Sequence, residues 1–77
     1  MARAGPCFEK NTQYSGELIK TITDINDAKD CQELCHKHDA CQFWTHQTNS
    51  QICHFRKVKG AKSSHEDMIS GPKVCGK

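Results

Sequence analysis

The clearest hydrophobic periodicity follows Asp24-Ile25-Asn26-Asp27. At about 100° per residue, Ala28, Cys31, Leu34, Cys35 and His38 fall within an arc of about 120°, and Lys29, Glu33, His36 and Lys37 lie opposite. This predicts a helix from about Asp27 to His38, capped by Asn26. Asp27 and Asp30 occupy its first turn, and His36, Lys37 and His38 gather at the end where the macrodipole favours cations. Beyond it, Cys41–His46 and Ile52–Val58 are rich in aromatic and β-branched residues and are separated by polar Gln47–Gln51, a hairpin pattern. Thr12–Tyr14 and Leu18–Thr23 read as short strands on either side of Ser15-Gly16. His65–Ser70, followed by Gly71-Pro72 and Lys73–Cys75, reads as an extended return that brings Cys75 near Cys7.

These elements must share one small core, because 77 residues are too few for a second. A chain of this size buries only about 60% of the surface its unfolded form exposes, so it needs covalent staples. Six cysteines, roughly 8% of the chain, give it the composition of a disulfide scaffold from an oxidising compartment outside the cytosol. No apolar run approaches the length of a membrane span. Met1–Pro6 has no apolar core and is not a signal peptide, so the domain reads as a module cut from a longer secreted protein, with an added Met1. No N-x-S/T triplet offers a glycan site.

Charge adds one asymmetry. Eleven Lys and Arg against nine Asp and Glu give +2, too weak for a nucleic-acid binder. Residues 1–53 hold five basic and seven acidic residues, whereas residues 54–77 hold six and two, so the balance runs from −2 to +4. Protonating all five histidines would raise the net charge to +7, and any anion binding should strengthen in acid.

The helical spacing restricts the cysteines. Side chains four apart on a helix keep their Cβ atoms roughly 5 to 6 Å apart, beyond the roughly 3.5 to 4.5 Å of a disulfide, so Cys31 and Cys35 do not pair with each other. This removes 3 of the 15 possible connectivities and leaves the others open. If both helix cysteines bond to Cys41 and Cys53, those two share a sheet face. Cys41, Phe43, Thr45, Cys53 and Phe55 then turn toward the helix, and Gln42, Trp44, His46, Ile52, His54 and Arg56 turn away. A zinc site built from Cys31, Cys35, His36, His38, Cys41, Cys53 and His54 is the competing use of these residues. It is disfavoured because the first pair lies within a capped helix with His36 on its opposite face. No metal and no cofactor is expected. No C-x-x-C is present and an even count leaves no spare thiol, which argues against a redox role.

Taken in order, Cys7-Phe8, Asn11-Thr12, Tyr14-x-Gly16, Asp27-Ala28-x2-Cys31-Gln32-x-Leu34-Cys35, Cys41-Gln42-Phe43-Trp44-Thr45, Cys53 and Gly71-Pro72-Lys73-x-Cys75 carry a family resemblance. The chain resembles an apple domain of the PAN superfamily across Cys7–Cys75. It is similar to the apple modules of plasma prekallikrein and coagulation factor XI, and more so to the tandem apple domains of microneme adhesins of apicomplexan parasites such as Eimeria. The resemblance implies a small disulfide-rich α+β fold, with about five antiparallel strands cradling one α-helix. It implies a domain over residues 7–75, with 1–6 as linker or added residues and 76–77 as a tail. It also implies the nested disulfides Cys7–Cys75, Cys31–Cys53 and Cys35–Cys41. The outer bridge would join the ends of one bead in a string and constrain the unfolded chain by roughly 4 kcal/mol in the chain-entropy model. A secreted, extracellular location is implied, reached through the microneme organelle if the parasite likeness holds.

No catalytic residue is expected. Ser63-Ser64-His65-Glu66-Asp67 has the letters of a triad, but sequence neighbours are rarely arranged as nucleophile, base and orienter, and a solvated loop accounts for them. Two binding patches remain. Arg56, Lys57, Lys59 and Lys62 have the order of a linear heparin-binding segment, though Arg56 and Lys57 project to opposite faces unless the strand ends near Val58. The face with Gln42, Trp44, His46, His54 and Arg56 could stack a sugar on the indole or anchor a protein, unless terminal strands cover Trp44. The expected function is adhesive: a non-catalytic module of a secreted multi-apple protein that attaches to a host-surface protein or glycan and gains strength by multivalency. The alternative is a structural module that assembles with neighbouring apple domains or other secreted proteins.

Overall fold

Asp27 starts the helix. Its extended backbone (φ −150°, ψ 172°) lets the carboxylate accept the Asp30 N–H at 2.9 Å, so the cap falls one residue after Asn26. In the computed structural model, which describes residues 8–74, α1 spans Ala28–Lys37. It ends where the His38 N–H turns back to the Cys35 carbonyl at 3.1 Å, and the Lys73 ammonium donates to the carbonyls of His38 (2.8 Å) and Asp39 (3.2 Å). Ala28, Cys31 and Cys35 are buried on the inner stripe and Leu34 packs beside them.

The strands are β1 (Glu9–Tyr14), β2 (Leu18–Ile22), β3 (Phe43–Gln47), β4 (Ile52–Arg56) and β5 (Lys62–Pro72). They form one antiparallel sheet in the order β1-β5-β3-β4-β2, the five-stranded sheet with a single helix that the resemblance implies. β1 and β2 are separated by three residues yet occupy opposite edges. The intervening Ser15-Gly16-Glu17 is tied to the β4–β5 connection by Ser15 N–H to the Ala61 carbonyl, Gly16 N–H to the Lys59 carbonyl and Lys57 N–H to the Glu17 carbonyl. Gly60 sits there at φ 69°, with backbone so close to Gly16 that a Cβ on it would meet Gly16 N at 2.5 Å.

The β3–β4 hairpin pairs Trp44 with Phe55 and His46 with Cys53. The residues turned toward the helix are therefore Trp44, His46, Cys53 and Phe55, and those turned away are Phe43, Thr45, Ile52, His54 and Arg56. The expected faces hold for β4 and invert for β3. Cys41 lies before the ladder, in a turn whose N–H reaches the His38 carbonyl, so its direction is not passed to β3 by alternation. Cys31 bonds to Cys53 and Cys35 to Cys41, pinning α1 to β4 and to the segment entering β3, and all four are fully buried. The implied Cys7–Cys75 bridge and the domain limits at 7 and 75 lie outside the described residues.

The outward face is covered in its centre. The β1–β5 register shifts between Lys10 and Thr12, where Asn11 and, opposite, Asp67 take positive φ (55° and 68°). The far half of this ribbon curls over the sheet. Tyr14 meets Phe43 edge-on at 5.7 Å, and the Ser70 hydroxyl, 2.8 Å from that of Thr45, donates to the Thr12 carbonyl at 2.8 Å.

Candidate functional site

Two of the residues singled out for ligand contact are interior. Trp44, expected outward, is fully buried on the helix face. Its ring meets Phe8 edge-on at 4.9 Å and its Nε1–H donates to the Pro72 carbonyl at 3.0 Å. His46 is equally buried, and its Nε2–H donates to the Ile25 carbonyl at 2.7 Å, closing the loop before α1 onto β3. Neither can touch a ligand: Trp44 is covered, with Gly71 of β5 against its ring, and it offers no platform for a sugar. The inversion of β3 moves both inward.

His54 and Arg56 do face outward. Burial, and then the charge of Arg56, hold His54 below the ordinary imidazole value, so it takes up its proton at lower pH than a free imidazole does. Its Nδ1 lies 3.3 Å from the Thr21 hydroxyl of β2. Arg56 donates from Nη1 to the Gly16 carbonyl at 2.9 Å, which commits one of its five N–H donors to holding the β1–β2 link.

The basic run leaves the strand after Arg56 and spreads. Lys57 is exposed. The Lys59 ammonium sits over the Tyr14 ring, 5.5 Å from its centre. Lys62 pairs with Glu9 at 2.8 Å, and the other oxygen of that carboxylate accepts the Tyr14 hydroxyl at 2.7 Å. These two hydrogen bonds hold Glu9 below the ordinary carboxylate value. The structure thus gathers Lys59 and Lys62 around one carboxylate and leaves Lys57 apart at the strand end. In the triad-like run, the His65 Nδ1–H donates to the Glu66 carbonyl at 2.9 Å, and Ser63 and Ser64 are exposed.

A further site escapes sequence reasoning. Between the C-terminal half of α1 and edge strand β2 lies a cleft of about 220 Å³ lined by Lys20, Ile22, Leu34, Lys37, His38 and Phe55. Phe55 forms its floor, with the His38 ring edge-on at 5.2 Å. Leu34, Lys37 and His38 reach it through helical spacing. A β-bulge between Leu18 and Lys20 sets Lys20 opposite Phe55 and Ile22 opposite Cys53, on the helix face. The lining has three apolar side chains, two lysines, one histidine and no carboxylate. The i, i+3, i+4 and i, i+2 patterns were available in the sequence, but nothing local shows that β2 lies beside α1.

Among the described residues, no group of three His, Cys, Asp or Glu is placed to hold a metal ion, and no helix is long and apolar enough to cross a membrane. The fold defines a small, disulfide-stapled α+β module. The family model for the PAN domain matches residues 7–75, and the chain belongs to that family. Its fold is similar to the two N-terminal apple domains of Toxoplasma gondii microneme protein 4, with a TM-score of 0.78 and 19% identity over 91% of this chain and 44% of that one. It is also similar to a PAN module from Eimeria tenella, with a TM-score of 0.68 and 23% identity over 97% of this chain and 87% of that one. No curated protein matches the sequence.

Proposed function

We propose that this chain is a non-catalytic, extracellular binding module of a secreted adhesin that carries several such domains, and that it serves host-cell attachment. The observation that carries this reading is the fold shared with apple domains of a Toxoplasma microneme protein. That likeness also supports the microneme as its route of secretion. Disulfide staples suit an oxidising, extracellular setting. A protein is the favoured target, because burial of Trp44 removes the aromatic surface a neutral sugar would stack on. A sulfated, heparin-like glycan is the second reading, resting on exposed Lys57 and Lys62 with Lys59, His54 and Arg56 nearby in the chain.

The test is multivalent display. Biotinylated chain on fluorescent streptavidin is applied to cultured animal cells with and without heparinase treatment. Saturable binding that persists after heparinase is expected. Loss of binding after heparinase, together with loss in the K57E/K62E variant, would transfer the contact to sulfated glycan. No binding across a panel of cell types would overturn the adhesive reading and favour an assembly role, which light scattering at high concentration then examines.

A further inference from the structure

The cleft beside β2 adjoins a second unfilled feature. β2 is an edge strand: among the described residues its ladder runs to β4 alone, which leaves the other row of backbone amides and carbonyls of Leu18–Ile22 without a strand partner. Edge strands are commonly blunted by charged side chains, and Lys20 is such a charge, placed on the helix face of the edge. An added strand would set alternate side chains beside Lys20 and Ile22, directed into the cleft between β2 and α1.

We infer that β2 accepts an extended peptide segment of a partner protein as a sixth strand, with an acidic side chain set beside Lys20 and Lys37 and an aliphatic one, two residues away, seated on Ile22, Leu34 and Phe55. Backbone pairing along β2 supplies affinity and the cleft supplies specificity. The acidic preference follows from charge complementarity, since both lysines border the apolar floor and no lining residue is acidic. A second copy of this chain is disfavoured as the occupant. Two-fold pairing of β2 with itself puts both helices on one side and brings four lysines to one seam. This inference rests on the binding-module reading and names the partner's chemistry.

The intact chain, labelled with ¹⁵N, is titrated with the acetylated, amidated peptide TVTDTVTDT. Two controls replace aspartate by lysine or methylate alternate backbone nitrogens. Shifts and slowed exchange confined to the Leu18–Ile22 amides, with shifts at Leu34, Lys37 and His38, are expected from the acidic peptide only. The K20E/K37E variant should bind it at least about tenfold more weakly and accept the lysine peptide instead. Both substitutions are at exposed positions, and the Trp44 indole N–H resonance reports that the variant is folded. Unperturbed β2 amides at about 2 mM peptide, equal binding of the N-methylated or the lysine peptide, or a β2-mediated dimer of the free chain would each overturn the inference. Cell attachment that continues without any such peptide binding would overturn it while leaving the adhesive reading intact, whereas failure of attachment by the unaltered chain tells against that reading.

Discussion

Gly71 lies flat against the indole of Trp44. A Cβ built on Gly71 would meet Trp44 Cζ2 at 2.7 Å and Cε2 at 3.1 Å, while the adjacent Pro72 carbonyl accepts the indole N–H. The largest core side chain is therefore seated by the absence of a side chain on β5. Gly71→Ala should force the ring or the strand aside and cost about 1 to 3 kcal/mol. Urea unfolding followed by fluorescence of Trp44, the single tryptophan of the chain, measures this directly. An unchanged midpoint would mean that the ring yields freely.

Thr45 and Ser70 form the polar centre of the covered face. Ser70 donates to the Thr12 carbonyl, so the Thr45 hydroxyl donates to Ser70, and both residues are fully buried. Ser70→Ala strands the Thr45 hydroxyl and should cost about 1 to 3 kcal/mol. Adding Thr45→Val removes the stranded donor, so the double variant should be more stable than the sum of the two single losses predicts. Strict additivity in the double-mutant cycle would refute the coupling.

The two described disulfides should differ in worth. Cys31–Cys53 spans 22 residues in sequence and Cys35–Cys41 spans 6. In the chain-entropy model, removing the first costs about 3 kcal/mol and the second about 2 kcal/mol. Paired Cys→Ala variants, compared by thermal and urea unfolding, should rank in that order. The reverse ranking would show that the Cys35–Cys41 bridge acts mainly by holding β3 in place.

Tyr14 is the single tyrosine, which makes its ionisation visible by itself. Burial, and next the hydrogen bond to Glu9, raise its pKa well above the ordinary 10.0. A raised value means stability complete below pH 10 and lost as pH climbs beyond it. Tyrosinate absorbance should thus be missing from the native chain at about pH 11 and present in urea at the same pH. Glu9 has the opposite sign. Its value is lowered from 4.5, so its contribution is present above that pH and fades as pH falls through the depressed value. Glu9→Gln should flatten the acid limb of the stability profile, and an unchanged limb would assign it to other carboxylates. Because the carboxylate is partly exposed, the change should be small and should shrink in salt.

Several features follow from the sequence alone. The spacing of Ala28, Cys31 and Cys35 places one helix and its buried stripe. It also forbids Cys31 from pairing with Cys35, because side chains one turn apart stand too far for a disulfide. The alternation of Ile52–Arg56 sorts Cys53 and Phe55 inward from His54 and Arg56, since all five belong to one uninterrupted ladder. What the tertiary structure alone decides is the face of β3, the strand order and the cleft. Side-chain direction is transmitted only through residues within a strand, and Cys41 stands outside it, so the inward turn of Trp44 and His46 could not be read from a cysteine two or more positions earlier. The separation of β1 and β2 to opposite edges is a choice among distant pairing partners, made by packing and by the ties of Gly16 and Gly60. Lys20 and Lys37 come to line one cleft with Ile22, Leu34 and Phe55 only after that choice. The local patterns show which residues share an element face, and long-range pairing determines which faces meet.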